Sequence, residues 1–146
     1  VTNDPVVLPA IKELATKSAM GASWVGTYGH GMAWPRVDGT STHGNVPPYG
    51  AVNQAGLMVS IGIVLGEKCG ATNAAISEAI GMSRRYFGYF AGKGAVPYGE
   101  SPPEEQNDDN GKSGEAALLL ALQTQANMST QVQFFAKACT ASYSLR

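Results

Sequence analysis

"AGLMVSIGIVLG", residues 55–66, is apolar on every side of a helical projection. It falls well short of the roughly 20 residues that a helix needs to cross a bilayer, so it reads as a helix covered all round by protein. The helix expected over about 51–65 has no polar face after Gln54. Such a helix needs neighbours on all sides, and the flanking sequence offers them in a regular order.

Upstream, residues 5–18 place Val7, Ile11 and Leu14 at helical spacing with Lys12, Glu13 and Lys17 opposite, a one-sided surface helix for which Asp4 and Pro5 suit the cap and first position. Downstream, 73–90 is one-sided again, with Ile76, Ile80 and Phe87 against Glu78, Arg84 and Arg85. Residues 113–122 are apolar all round. From 129 to 143, Phe134, Phe135 and Ala138 oppose Gln131, Gln133 and Lys137. The order is outer, inner, outer, inner, outer.

A shift of 58 positions lays Gly56 on Gly114, Leu65 on Gln123, Thr72 on Thr130 and Ile76 on Phe134, so an inner helix, a short connection and an outer helix repeat in one register. Outer helices run into the glycine-rich turns "GHGMAWP" (29–35) and "GKGAVPYG" (92–99) and then long loops, while the other connections, "EKCGA" (67–71) and "TQANM" (124–128), are short. Long loops therefore gather on one rim. The expected fold is all-α, a two-layer α/α barrel (toroid) segment, with 1–146 as a single helical domain that forms part of a larger toroid.

The formal charge of -1, with 14% charged residues, lacks the basic excess that nucleic acid or an anionic membrane surface would attract. Neither is expected as a partner. Cys69 and Cys139 have neither metal-ligand spacing nor the density of a disulfide scaffold, which favours free, partly buried thiols. The chain opens at "VTNDP" without an initiator Met, as a processed or partial chain would.

The polar residues concentrate where the inner helices begin. In "NDDNGKSG" (107–114), Gly-Lys-Ser matches only the end of a phosphate-binding loop: Gln106 stands where the first glycine should be, and no strand precedes it. The ordinary reading is a helix cap by Asp109 or Asn110 with a Lys112–Asp108 ion pair. One capping residue suffices, however, whereas six polar groups here border a dry helix, and buried polarity of that amount needs partners or a ligand. Asn53 and Gln54 make the equivalent helix entrance polar too, and Lys93 occupies the turn equivalent to that of His30. His30 is the one group near the presumed rim that titrates close to neutrality, a candidate proton-transfer residue. His30, Asp38 and His43 lack tight ligand spacing, so no metal and no cofactor is expected. Trp34, Tyr49 and Tyr98 share the rim loops with Asp38, Glu100, Glu104, Glu105, Asp108 and Asp109. Aromatic faces among carboxylates suit sugar rings, and a carboxylate pair at the right separation hydrolyses glycosidic bonds; the ordinary alternative is aromatics that pin the loops and a solvated acidic stretch.

"GTYGHGMA" (26–33), "PYGAVNQAGL" (48–57), "GKGAVPYGESPP" (92–103) and "DDNGK" (108–112) together resemble an uncharacterised bacterial domain-of-unknown-function family of α/α-toroid type, terpenoid-cyclase or glycosidase-like. The sequence departs from that pattern at Tyr28, where Trp is expected, and after Glu100, where a His commonly follows. The resemblance implies an exported, extracytoplasmic protein in which this region is one part of the barrel, and it implies no established activity.

The expected function is therefore recognition or processing of a carbohydrate or peptidic ligand at the long-loop rim; if catalytic, the chain would be a hydrolase or lyase acting on a polysaccharide or related polymer. His30, Asp108 and Asp109 are the catalytic candidates, and Trp34, Tyr49, Asn53, Gln54, Lys93, Tyr98, Asn110 and Lys112 the ligand-binding ones. The alternative is a non-catalytic structural or interaction module of stacked helical repeats, which would expose an apolar edge and associate with neighbouring repeats or with itself.

Overall fold

The structure is a computed structural model that describes residues 4–30, 51–99, 102, 112–123 and 129–144. Five helices form among the described residues, with no strand: α1 (Val7–Met20), α2 (Asn53–Lys68), α3 (Ala74–Tyr89), α4 (Lys112–Leu122) and α5 (Ser129–Ser144). The chain is all-α, as its periodicities predict, and each boundary falls within a few residues of the expected one.

Local chemistry explains the helix starts. The Asp4 carboxylate accepts from the backbone N–H groups of Val6 and Val7 at 2.8 and 3.2 Å, and the Asp4 carbonyl accepts from Leu8, so Asp4 satisfies the entrance to α1 although the helix begins at Val7 rather than Pro5. Pro9 lies in that first turn, where a missing N–H costs no intrahelical bond. Asn73 caps α3 by accepting from Ile76 N–H at 2.9 Å, and its amide donates to Thr16 Oγ1 at 2.7 Å. One side chain thus starts α3 and ties it to α1.

Two apolar clusters hold the array together. Leu57 and Val64 of α2 join Phe87 of α3, Ala116, Leu119 and Leu120 of α4, Phe135 of α5, and Phe90 and Val96 from the chain after α3. Ile63 of α2 joins Ala15 and Ala19 of α1, Ile76 and Ala79 of α3, and Ala22, Tyr28 and Ala71 from the loops. Both α2 and α3 contribute to each cluster, and α2 packs on α1, α3 and α4. Cys69 and Cys139 are both free and partly buried.

The inner helices are less enclosed than their composition predicts. Met58 and Leu65 of α2 are 60% and 46% exposed, Leu118 of α4 is 49% exposed, and Gly62 has open space over its Cα. Met58, Gly62 and Leu65 fall on one stripe at helical spacing. The physical reason is that α1 stands off from this part of α2: Gly62 and Leu65 line an open cleft whose other wall includes Ile11 and Leu14 of α1.

Candidate functional site

The head of α2 is a buried polar point organised by Asn53. Its side chain is fully buried. Its backbone N–H donates to the Tyr98 carbonyl at 2.9 Å, while Nδ2 donates to the carbonyls of Pro97 and Gly99 at 2.8 and 3.2 Å. Three successive carbonyls of the 95–99 loop are therefore fixed on one residue. Thr27 Oγ1 donates to Asn53 Oδ1 at 3.2 Å, which brings in the loop after α1.

That second loop is itself tightly made. Ser23 donates from both its N–H and its hydroxyl to the Thr27 carbonyl, each at 2.8 Å, and the Val52 N–H donates to the Tyr28 carbonyl at 2.6 Å. Gly26 closes the turn at φ +102°, where a Cβ would stand 2.5 Å from the Met82 carbonyl oxygen. Gly56, one turn into α2, lies so close to Thr27 that a Cβ there would collide with Oγ1. Loop and helix thus approach backbone to side chain.

Tyr28 is buried and donates its hydroxyl to the Ser18 carbonyl at 2.5 Å. Burial raises its ionisation well above the ordinary tyrosine value.

Of the residues expected at the rim, Asn53 and Tyr98 are brought together through the backbone of 97–99, and His30 follows Tyr28 by two residues, exposed. Tyr98 is 52% exposed on a loop whose preceding residues, Val96 and Pro97, are buried. Gln54 is exposed at the start of α2. Lys93 is exposed and seats its ammonium over the Tyr89 ring, 3.2 Å from the centroid, so its charge is held on the protein's own aromatic face. Lys112 begins α4 with its side chain fully buried, and no hydrogen-bond acceptor reaches its Nζ among the described residues. Asp108, Asp109, Asn110, Trp34 and Tyr49 lie outside the described residues, as do Asp38, His43, Glu100, Glu104 and Glu105.

Sequence reading passed over Trp24, which is 63% exposed on the Ala22–Tyr28 loop, and Thr27, the hydroxyl that connects that loop to Asn53. The available signal was an aromatic between Ser23 and the Gly26 turn. Among the described residues no group of three His, Cys, Asp or Glu side chains converges as a metal site would require.

A cleft of about 390 Å³ lies elsewhere, between α1 and the C-terminal two-thirds of α2, lined by Ile11, Leu14, Val59, Ile63, Leu65 and Cys69 among others. Its walls are almost wholly apolar, unlike the hydrogen-bonding surface at the α2 head. No curated protein and no solved structure matches the chain. The family model described as "Domain of unknown function (DUF6288)" matches residues 1–146, its whole length, and the chain belongs to that family.

Proposed function

We propose that this chain recognises or processes a carbohydrate or peptidic ligand at the long-loop rim of a two-layer α/α toroid, in an extracytoplasmic setting. One observation carries the reading: Asn53 holds the carbonyls of Pro97, Tyr98 and Gly99 together, and Tyr98 in that fixed stretch is 52% exposed. A preorganised, exposed aromatic loses little conformational entropy when a flat apolar face stacks on it. Trp24 projects from the loop that Thr27 joins to the same asparagine, which gives a second ring on a loop anchored at the α2 head. In a catalytic version His30 would move the proton and Asp108 and Asp109 supply the carboxylates, in hydrolysis or elimination on a polysaccharide.

The test is thermal melting with panels of neutral and acidic oligosaccharides and of short peptides, for the protein and for Tyr98→Ala. A ligand-specific rise that Tyr98→Ala removes, without lowering the melting point of the free protein, is the expected result. No rise with any panel member sinks the reading.

A second reading, a non-catalytic module of stacked helical repeats, is favoured by a different observation. Leu14, Met58, Leu65 and Leu118 are exposed apolar side chains on helices, and Leu14 and Leu65 also edge the cleft between α1 and α2. A neighbouring helix would bury such a surface.

A further inference from the structure

We propose that the cleft between α1 and α2 is the seat of an apolar α-helix of the same kind as α2, supplied by a neighbouring helical repeat outside residues 1–146. The inference rests on the stacked-module reading above and names both the partner and its place. The internal repeat carries it. The shift of 58 positions that lays Gly56 on Gly114 also lays Met58 on Ala116 and Gly62 on Leu120. Ala116 and Leu120 are buried in the cluster that holds Leu57 and Val64 of α2, whereas Met58 and Gly62 are exposed. In the other direction, Ser60 and Ile63 are buried, and their equivalents Leu118 and Ala121 are exposed. The two inner helices thus share a register and bury opposite faces, the arrangement of two neighbours in a stack whose outer sides are uncovered.

That relation says what fits the bare face. Helix α2 lies against α3 and against α4, an outer helix and the inner helix that follows it. The corresponding place beside α1 and α2 is the cleft of about 390 Å³, walled by Ile11, Leu14, Val59, Gly62 and Leu65. Its lining is apolar, as the surroundings of Leu57 and Val64 are, so it offers little for a polar ligand to bond. A Cβ added at Gly62 meets nothing within 4 Å, and this opening lets a second helix come close. Docking there removes the exposed apolar surface of Leu14 and Leu65 from water, which drives the association.

The experiment uses Cys69, a free thiol on the cleft wall, as reporter and Cys139, beside Gly114 of α4, as its internal control. The probe is a synthetic peptide of residues 53–68, the α2 sequence, carrying a lysine tail for solubility, and alkylation of each thiol is followed by mass spectrometry. Saturable protection of Cys69 is expected, roughly tenfold at ten times Kd because only about one molecule in eleven is then unoccupied, with the Cys139 rate unchanged. Gly62→Glu should abolish the protection, since a docked helix would bury its carboxylate. That variant should melt at or above the parent, because the position is open and glutamate is the better helix former.

No protection of Cys69 overturns the proposal. So does equal protection in Gly62→Glu, which places the peptide elsewhere, or equal protection by the peptide with proline at the Ile61 position, which shows that any apolar chain suffices. Protection that grows with the protein's own concentration and is indifferent to the peptide assigns the cleft to a second copy, and overturns it too. Sedimentation separates this inference from the reading beneath it: failure of the peptide with self-association of the protein discards the cleft helix and keeps the stacked module, while failure of both discards both.

Discussion

The Asn53 amide donates to the carbonyls on either side of Tyr98, at 2.8 Å to Pro97 and 3.2 Å to Gly99, while the Asn53 backbone N–H takes the Tyr98 carbonyl between them. Replacing Asn53 with Ala leaves two carbonyls and the Thr27 hydroxyl without this partner in a buried setting. Each such loss costs about 1–3 kcal/mol, with partial relaxation, so Asn53→Ala should destabilise the fold by roughly 2–4 kcal/mol. Asn53→Asp, which keeps shape and acceptor but cannot donate, should cost a similar amount. Urea unfolding measures both, and a loss under about 0.5 kcal/mol would show that the loop does not depend on this residue.

Asn53 and Gln54 also mark the limit of what could be read in the sequence. Both are amides at the start of a helix whose existence and extent were evident from "AGLMVSIGIVLG". One is completely buried and the other exposed, because only the return of the 95–99 loop decides which amide is covered. Periodicity within a helix reports its apolar character and says nothing of a loop more than forty residues away. The same limit hid the open stripe of Met58 and Leu65: an all-apolar helix reads as enclosed, and only packing reveals a side left bare. By contrast, the Asp4 cap and the five helices follow from neighbours in sequence, where local chemistry suffices.

Gly56 tests the close approach of loop and helix. A methyl at this position meets Thr27 Oγ1, so although alanine is the better helix former, Gly56→Ala should destabilise by about 1–3 kcal/mol. Combining it with Thr27→Ala removes the obstacle. The double variant should therefore lose less than the two single changes added together, by at least about 0.5 kcal/mol. Strict additivity in urea unfolding would mean that the contact is not what requires glycine.

Tyr28 gives a pH signature. Burial raises its folded-state ionisation above the unfolded tyrosine value near 10, so its contribution to stability is complete below about pH 10. Above that, the unfolded chain releases the proton and the folded one retains it, and stability falls as pH rises through the interval up to the folded value. Tyr28→Phe lacks the titration and should show a shallower loss of stability between about pH 10 and 11.5. At neutral pH the same change should cost about 0.5–1.5 kcal/mol, for the lost bond to the Ser18 carbonyl. Identical alkaline slopes for parent and variant would reject the assignment.

The open stripe on α2 distinguishes the scaffold reading from the ligand reading without any ligand. If Met58 and Leu65 belong to a surface made for a neighbouring helix, dilute isolated chain should cover it with a second copy, since hydrophobic area exposed in one molecule is removed from water by pairing. Met58→Lys combined with Leu65→Glu puts opposite charges on side chains that are 60% and 46% exposed, so the change in monomer stability should stay within about 1 kcal/mol, most of it from Leu65 at the edge of the cleft with α1. Sedimentation equilibrium should then show concentration-dependent association for the parent and a monomer for the variant. A parent that remains monomeric to high concentration, with a cooperative melt, would mean that the exposed apolar stripe is tolerated surface, and the case for a stacked module would fall with it.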